Sequence, residues 1–182
     1  MAHHPQTKAK AEAKRKPPFV SSLNTIIIIA MGLLLNACAT AVFPGETESV
    51  VLSKLGQPAG RYQVNQEQWL EYPTGPRGQQ TYFAYFDSDG KLKSYEQVLN
   101  SAKFATIAIN QADKEQVLRT IGRPAEKSYL ALSKLEVWSY RYKEADIWNS
   151  LMHVHFDSNG IVRKMENGPD RMYEGEREGF GR

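Results

Sequence analysis

Val51-Leu52-Ser53-Lys54-Leu55-Gly56-Gln57-Pro58-Ala59 returns 66 residues later as Val117-Leu118-Arg119-Thr120-Ile121-Gly122-Arg123-Pro124-Ala125. A second pair, Phe86-Asp87-Ser88-Asp89-Gly90 and Phe156-Asp157-Ser158-Asn159-Gly160, lies at an offset of 70, and between them Leu70-Glu71-Tyr72 matches Trp138-Ser139-Tyr140 at 68. Three landmarks in one order, with small insertions between them, indicate an internal duplication. The matched residues include turn punctuation as well as apolar positions, which makes coincidence a poor explanation.

Local structure follows from each copy. Thr47 is a candidate N-cap with Glu48 in the first turn, Val51, Leu52 and Leu55 form an apolar stripe, and Gly56 with Pro58 ends the helix. In the second copy Asp113 and Gln116 have the spacing of a capping box, Val117, Leu118 and Ile121 repeat the stripe, and Gly122 and Pro124 repeat the stop. Strand-like runs follow at 68–72, 81–86 and 92–99, and again at 136–142, 151–156 and 161–165. The Asp-Ser-Asp-Gly and Asp-Ser-Asn-Gly segments read as hairpin turns with glycine at positive φ. A calcium loop starting at Asp87 would need a glutamate where Val98 stands and a glycine two residues later than Gly90, so the turn reading prevails. Short apolar stretches at 104–107 and 40–43 read as a preliminary helical element in each copy.

Ahead of the first copy, Lys8, Lys10, Lys14, Arg15 and Lys16 precede an apolar run from Ile26 to Leu35 that ends in Leu35-Asn36-Ala37-Cys38. A basic segment, a ten-residue apolar core and small residues are the pattern of a signal peptide, and the core is short for a membrane span. Leu35-Asn36-Ala37-Cys38 resembles the lipobox of bacterial lipoproteins. The resemblance implies cleavage between Ala37 and Cys38, a diacylglyceryl thioether on the Cys38 sulfur and, with Ala39 following, sorting to the outer membrane with the domain facing the periplasm. Cys38 is the single cysteine, so the folded part carries no disulfide. Residues 1–37 are thus read as signal and 38–43 as anchor and tether. Removing five basic residues and one acid with the signal leaves 18 bases against 19 acids over 145 residues. That near-neutral balance offers no basis for a nucleic-acid partner.

The short helix ending Leu-Gly-x-Pro, the aromatic strand Val137-Trp138-Ser139-Tyr140 and the strand ending Phe-Asp-x-x-Gly resemble the BamE (SmpA/OmlA) lipoprotein domain, twice over, across about residues 44–166. The fold is also similar to that of β-lactamase inhibitor protein. The resemblance implies an α+β fold of two tandem repeats, 44–100 and 101–168, each of short helices packed on a three-stranded antiparallel sheet, with 169–182 as a flexible tail. It further implies a protein-binding module in outer-membrane protein assembly or envelope integrity, with the β-barrel assembly machinery as the kind of partner. The alternative is an inhibitor-type module that binds an envelope hydrolase.

Catalytic and metal chemistry find little support. His153 and His155 share one face of a strand and could chelate a metal, but no acid in that strand completes a ligand set. There is no Gly-x-Ser-x-Gly and no phosphate-binding glycine loop, so the chain reads as a non-enzyme without a cofactor. His153 and His155 align with Phe83 and Tyr85 across the repeat. These four are the candidate partner-binding residues, on the sheet face opposite the helices, with Trp69 and Trp148 as neighbours. Alternatively, the two halves bury these rings against each other.

Overall fold

A computed structural model describes residues 41–75 and 77–176, together with Met1. The signal read over 1–37, the cleavage pair Ala37 and Cys38, and the first residues of the tether lie outside the described residues. No described helix is long and apolar enough to cross a membrane.

The fold expectation needs correcting. Among the described residues the protein is mostly β, with two four-stranded antiparallel sheets and three short helices in place of two three-stranded repeats. Helix α1 (Glu48–Leu55) precedes β1 (Gly60–Val64), β2 (Glu67–Pro73), β3 (Thr81–Phe86) and β4 (Leu92–Gln97); α2 (Ser101–Phe104) and α3 (Lys114–Ile121) precede β5 (Glu126–Leu130), β6 (Leu135–Glu144), β7 (Trp148–Phe156) and β8 (Val162–Pro169). Each sheet is a meander in chain order, β1-β2-β3-β4 and β5-β6-β7-β8. The strands that sequence reasoning missed, β1 and β5, are edge strands. Gly60-Arg61-Tyr62-Gln63-Val64 and Glu126-Lys127-Ser128-Tyr129-Leu130 carry little apolar periodicity, because an edge strand is held by one neighbour's hydrogen bonds more than by burial.

The helix termini show how local chemistry sets the elements. Asp113 accepts a hydrogen bond from the Gln116 N–H at 2.8 Å, whereas the Thr47 side chain caps nothing and its hydroxyl pairs with that of Ser49. Asp113→Ala should therefore cost about 1 kcal/mol and Thr47→Ala only a few tenths, measured as a shift of the urea midpoint. The turns also repeat. Asp87 Oδ1 accepts from the N–H groups of Asp89 and Lys91, Asp157 Oδ1 accepts from those of Asn159 and Ile161, and Gly90 and Gly160 supply φ values of 70° and 77°. A bulge follows at Tyr85/Phe86 in one sheet and at His155/Phe156 in the other.

Two cores result. Val51 of α1 packs with Leu70, Tyr72, Ala84, Phe86 and Leu92 on the inner face of the first sheet. Val117 and Ile121 of α3 pack with Trp138, Tyr140, Val154 and Phe156 on the inner face of the second, each contributing about 1.5–3 kcal/mol. Residues Thr40–Arg182 form one compact unit, and the hydrogen bonds of Glu71 show why. This β2 carboxylate is fully buried, accepts from the backbone N–H of Arg123 at 2.7 Å and from the Tyr62 hydroxyl at 2.7 Å, and so ties the end of α3 to the outer face of the first sheet. The stretch expected as a flexible tail begins with order: Pro169 closes β8, Asp170 is buried with its N–H bonded to the Asn149 carbonyl, and a 3-10 helix runs over Arg171–Glu176.

Candidate functional site

Alternation along the first sheet places Tyr62, Trp69, Tyr85 and Ser94 in one cross-strand row and Gly60, Glu71, Phe83 and Glu96 in the next, all on the outer face. The second half's helices lie over these rows. They close on the sheet at Glu71 and Gly122, and from there a cleft of about 540 Å³ opens toward Glu67 and Lys93 near the β1–β2 and β3–β4 turns. Trp69 and Tyr85 form its floor, edge to face at 5.1 Å. Lys103 of α2 and Thr106, two residues beyond its end, line one side, and Gln116, Arg119 and Thr120 of α3 form the opposite wall.

The charges around the cleft are paired. Lys93 Nζ donates to Glu67 Oε1 at 2.5 Å, Lys103 Nζ to Glu96 Oε2 at 3.3 Å, and Arg119 to Glu115 at 2.9 Å. The hydrogen bond from Lys93 holds the Glu67 carboxyl below its usual range and holds the Lys93 ammonium above its own. Glu96 is lowered first by the Ser94 hydroxyl and then by Lys103. Burial, with Glu96 adding, pushes Tyr85 up to about 12, so its phenol stays protonated and able to donate a hydrogen bond at neutral pH. Lys103 Nζ lies 6.0 Å from the centre of the Tyr85 ring. The cleft thus combines an aromatic floor, hydrogen-bonding walls and preset ion pairs, and within it the Ser94 hydroxyl donates to Glu96 Oε1 at 2.8 Å.

The four residues proposed as a partner-binding face do not form one surface. Phe83 is fully buried beneath the second half, ringed by Tyr62 and Tyr85 at 5.7 and 5.8 Å. Tyr85 alone of the four lines the cleft. His153 and His155 lie on the outer face of the second sheet, where the Ser139 hydroxyl meets His153 Nδ1 at 2.8 Å and His155 is buried beside Glu166 at 3.1 Å. Burial lowers the His155 pKa, and Glu166 opposes that shift. Among the described residues no cluster of three metal-ligating side chains occurs. Of the two tryptophans expected nearby, Trp69 is in the cleft floor and Trp148 is at the β6–β7 turn of the other sheet.

Sequence reasoning missed Glu71, Glu67, Glu96, Lys103 and Arg119. A signal for the covered face was present in β3, Thr81-Tyr82-Phe83-Ala84-Tyr85-Phe86, which is apolar on both alternations and so reads as a strand covered on both sides.

No protein-family model matches the sequence, and no curated protein matches it at a significant level. Among solved structures the chain is similar to a DUF4309 family protein (YjgB) from Bacillus subtilis, with 10% identity over 69% of this chain and 79% of that one and a TM-score of 0.30. A likeness that weak carries no argument about fold or function. Neither a BamE protein nor a β-lactamase inhibitor protein emerges from these comparisons.

Proposed function

We propose that this chain is an outer-membrane lipoprotein, anchored through Cys38 and facing the periplasm, that binds an envelope protein in the cleft over the first sheet. Its place of work is the assembly or upkeep of the outer membrane. The observation that supports this reading is the Trp69–Tyr85 floor flanked by preset charges and walled by the other half's helices. Tryptophan and tyrosine in a partly desolvated depression are the side chains on which interface energy concentrates.

A second reading, an inhibitor-type module, rests on the β5–β6 hairpin. Tyr129, Leu130 and Leu132 are exposed at its tip, and such an apolar tip suits insertion into an enzyme's groove. A photoreactive residue at Gln116, in the cleft wall, and another at Leu132 separate the two in cells. The cleft reading expects an adduct at position 116 with an outer-membrane assembly component, and Trp69→Ala should weaken that partner's binding by about 2 kcal/mol, roughly 30-fold, with the melting temperature kept. A hydrolase captured at position 132, with nothing at 116, would replace it with the inhibitor reading.

A further inference from the structure

The end of the molecule at which the chain enters the fold carries another surface, apart from the cleft. Lys54 Nζ donates to the Ala41 carbonyl at 2.9 Å, and Val42 packs on the same core cluster as Tyr82 and Tyr95. Tyr95 contacts Tyr72, whose hydroxyl reaches the Gly56 carbonyl just beyond the end of α1. The β2–β3 connection and the β6–β7 turn lie side by side at this end. Gln79 Nε2 donates to Asn149 Oδ1 at 2.9 Å, and Gln80, Tyr82 and Gln97 line one depression with Lys143 and Asp146.

The β6–β7 turn is tight, with Ala145 and Asp146 at φ 49° and 59°, and it presents Ile147 and Trp148, which are 66% and 51% exposed. Met172 is exposed beside it on the 3-10 helix, which is held by the Tyr173 hydroxyl on the Arg77 carbonyl and by Asp170 on Asn149. Arg77, Lys143 and Arg171 are exposed around this end. The acids at this end are Asp146, Glu144 and, in the sequence of the 3-10 helix, Glu174 and Glu176; Glu144 accepts from Ser150 Oγ and Asn167 Nδ2. Tryptophan with an aliphatic neighbour, among interspersed arginine, lysine and acidic side chains, is the composition of a segment that sits at the level of lipid headgroups.

We infer that the Ile147–Trp148 turn, with Met172 and the cations Arg77, Lys143 and Arg171, seats in the headgroup layer of the membrane and fixes the domain's orientation. The inference rests on the reading of Cys38 as acylated. Ala41 is the third residue after Cys38, a reach of at most about 11 Å, so an acyl chain there holds this end of the fold against the bilayer. Headgroup phosphates supply acceptors for Arg77, Lys143 and Arg171. Glu67 and Lys93, where the cleft opens, lie toward the opposite end of the first sheet, so this seating turns the cleft toward the periplasm.

The test uses the mature protein purified from membranes, in vesicles of roughly three parts phosphatidylethanolamine to one of phosphatidylglycerol with brominated acyl chains. Bromine quenches indole only at short range. Trp138 is buried in the second core and Trp69 is in the cleft, so the quenched share of the emission should be that of Trp148, lost in Trp148→Phe and reduced in Ile147→Asp. Mass spectrometry of the N-terminal peptide from the same sample reports on Cys38 independently. Acylated Cys38 with Trp148 unquenched overturns the seating and leaves the anchor standing. Unmodified Cys38 overturns the anchor, and quenching of Trp148 by added vesicles then decides the seating alone. A photoreactive residue at position 147 should label phospholipid; labelling of a protein or of a second copy instead overturns the inference.

Discussion

Glu71→Ala should lower the stability of the domain by about 3 kcal/mol, seen as a fall of about 10 °C in the melting temperature and a lower urea midpoint. The loss does not come from the Arg123–Glu71 ion pair. Arg123 Nε stands 3.6 Å from the carboxylate and its side chain is 58% exposed, so water can solvate the guanidinium once its partner is gone. What is lost is the acceptor shared by two part-buried donors, the Arg123 backbone N–H and the Tyr62 hydroxyl, each left without it at a cost of about 1–3 kcal/mol. Glu71→Gln keeps an acceptor for the backbone N–H and should lose only about 1 kcal/mol. Adding Tyr62→Phe to Glu71→Ala should recover part of the loss, because the hydroxyl then no longer needs a partner. A Glu71→Ala protein as stable as the parent would show that the two halves are held by their cores alone.

The contrast between the halves also explains what could be read from the sequence. Residues that act through their neighbours in the chain were legible: Gly56 and Gly122 end helices, Asp113 caps one, and Asp87 and Asp157 fold their turns by hydrogen bonds to residues two and four positions on. The three later strands of each sheet, including the edge strands β4 and β8 that begin on buried Leu92 and Val162, were legible because burial imposes a pattern on them. The edge strands β1 and β5 were not, since β5 is exposed along its whole length and its composition records no burial. The cleft was hidden for another reason. Alternation says which face of β3 carries Phe83 and Tyr85 but not that α2 and α3, from the other half, come to cover it. Nothing near Glu71 in the chain marks it as buried, and only the arrival of Arg123, 52 residues later, makes its burial tolerable.

Gly122→Ala should be the most damaging small substitution in the chain, and Gly56→Ala is its internal control. The two glycines hold the same place in the repeat and nearly the same backbone, φ 79° and ψ −163° at Gly56 against φ 78° and ψ −162° at Gly122, a region that residues with a Cβ scarcely enter. Each therefore carries about 1–3 kcal/mol of strain on becoming alanine. Their surroundings differ. A Cβ at Gly56 meets nothing within 4 Å, whereas one at Gly122 falls 2.7 Å from Glu71 Oε1 and 3.0 Å from Thr81 Cγ2. A carboxylate tip could ordinarily swing away, but this one is fully buried and held by Tyr62 and Arg123, and Gly60 leaves it no room on its other side, where a Cβ would stand 2.5 Å from Oε2. Overpacking should add about 1–3 kcal/mol, so Gly122→Ala should cost about 4 kcal/mol against about 2 for Gly56→Ala. The excess should shrink when Glu71→Ala is already present, since the clash is then relieved, and a double-mutant cycle on urea midpoints measures that coupling. Equal costs at the two glycines, or additive costs in the cycle, would mean that the end of α3 does not press on Glu71. The cleft would then owe its shape to something other than this contact between the halves.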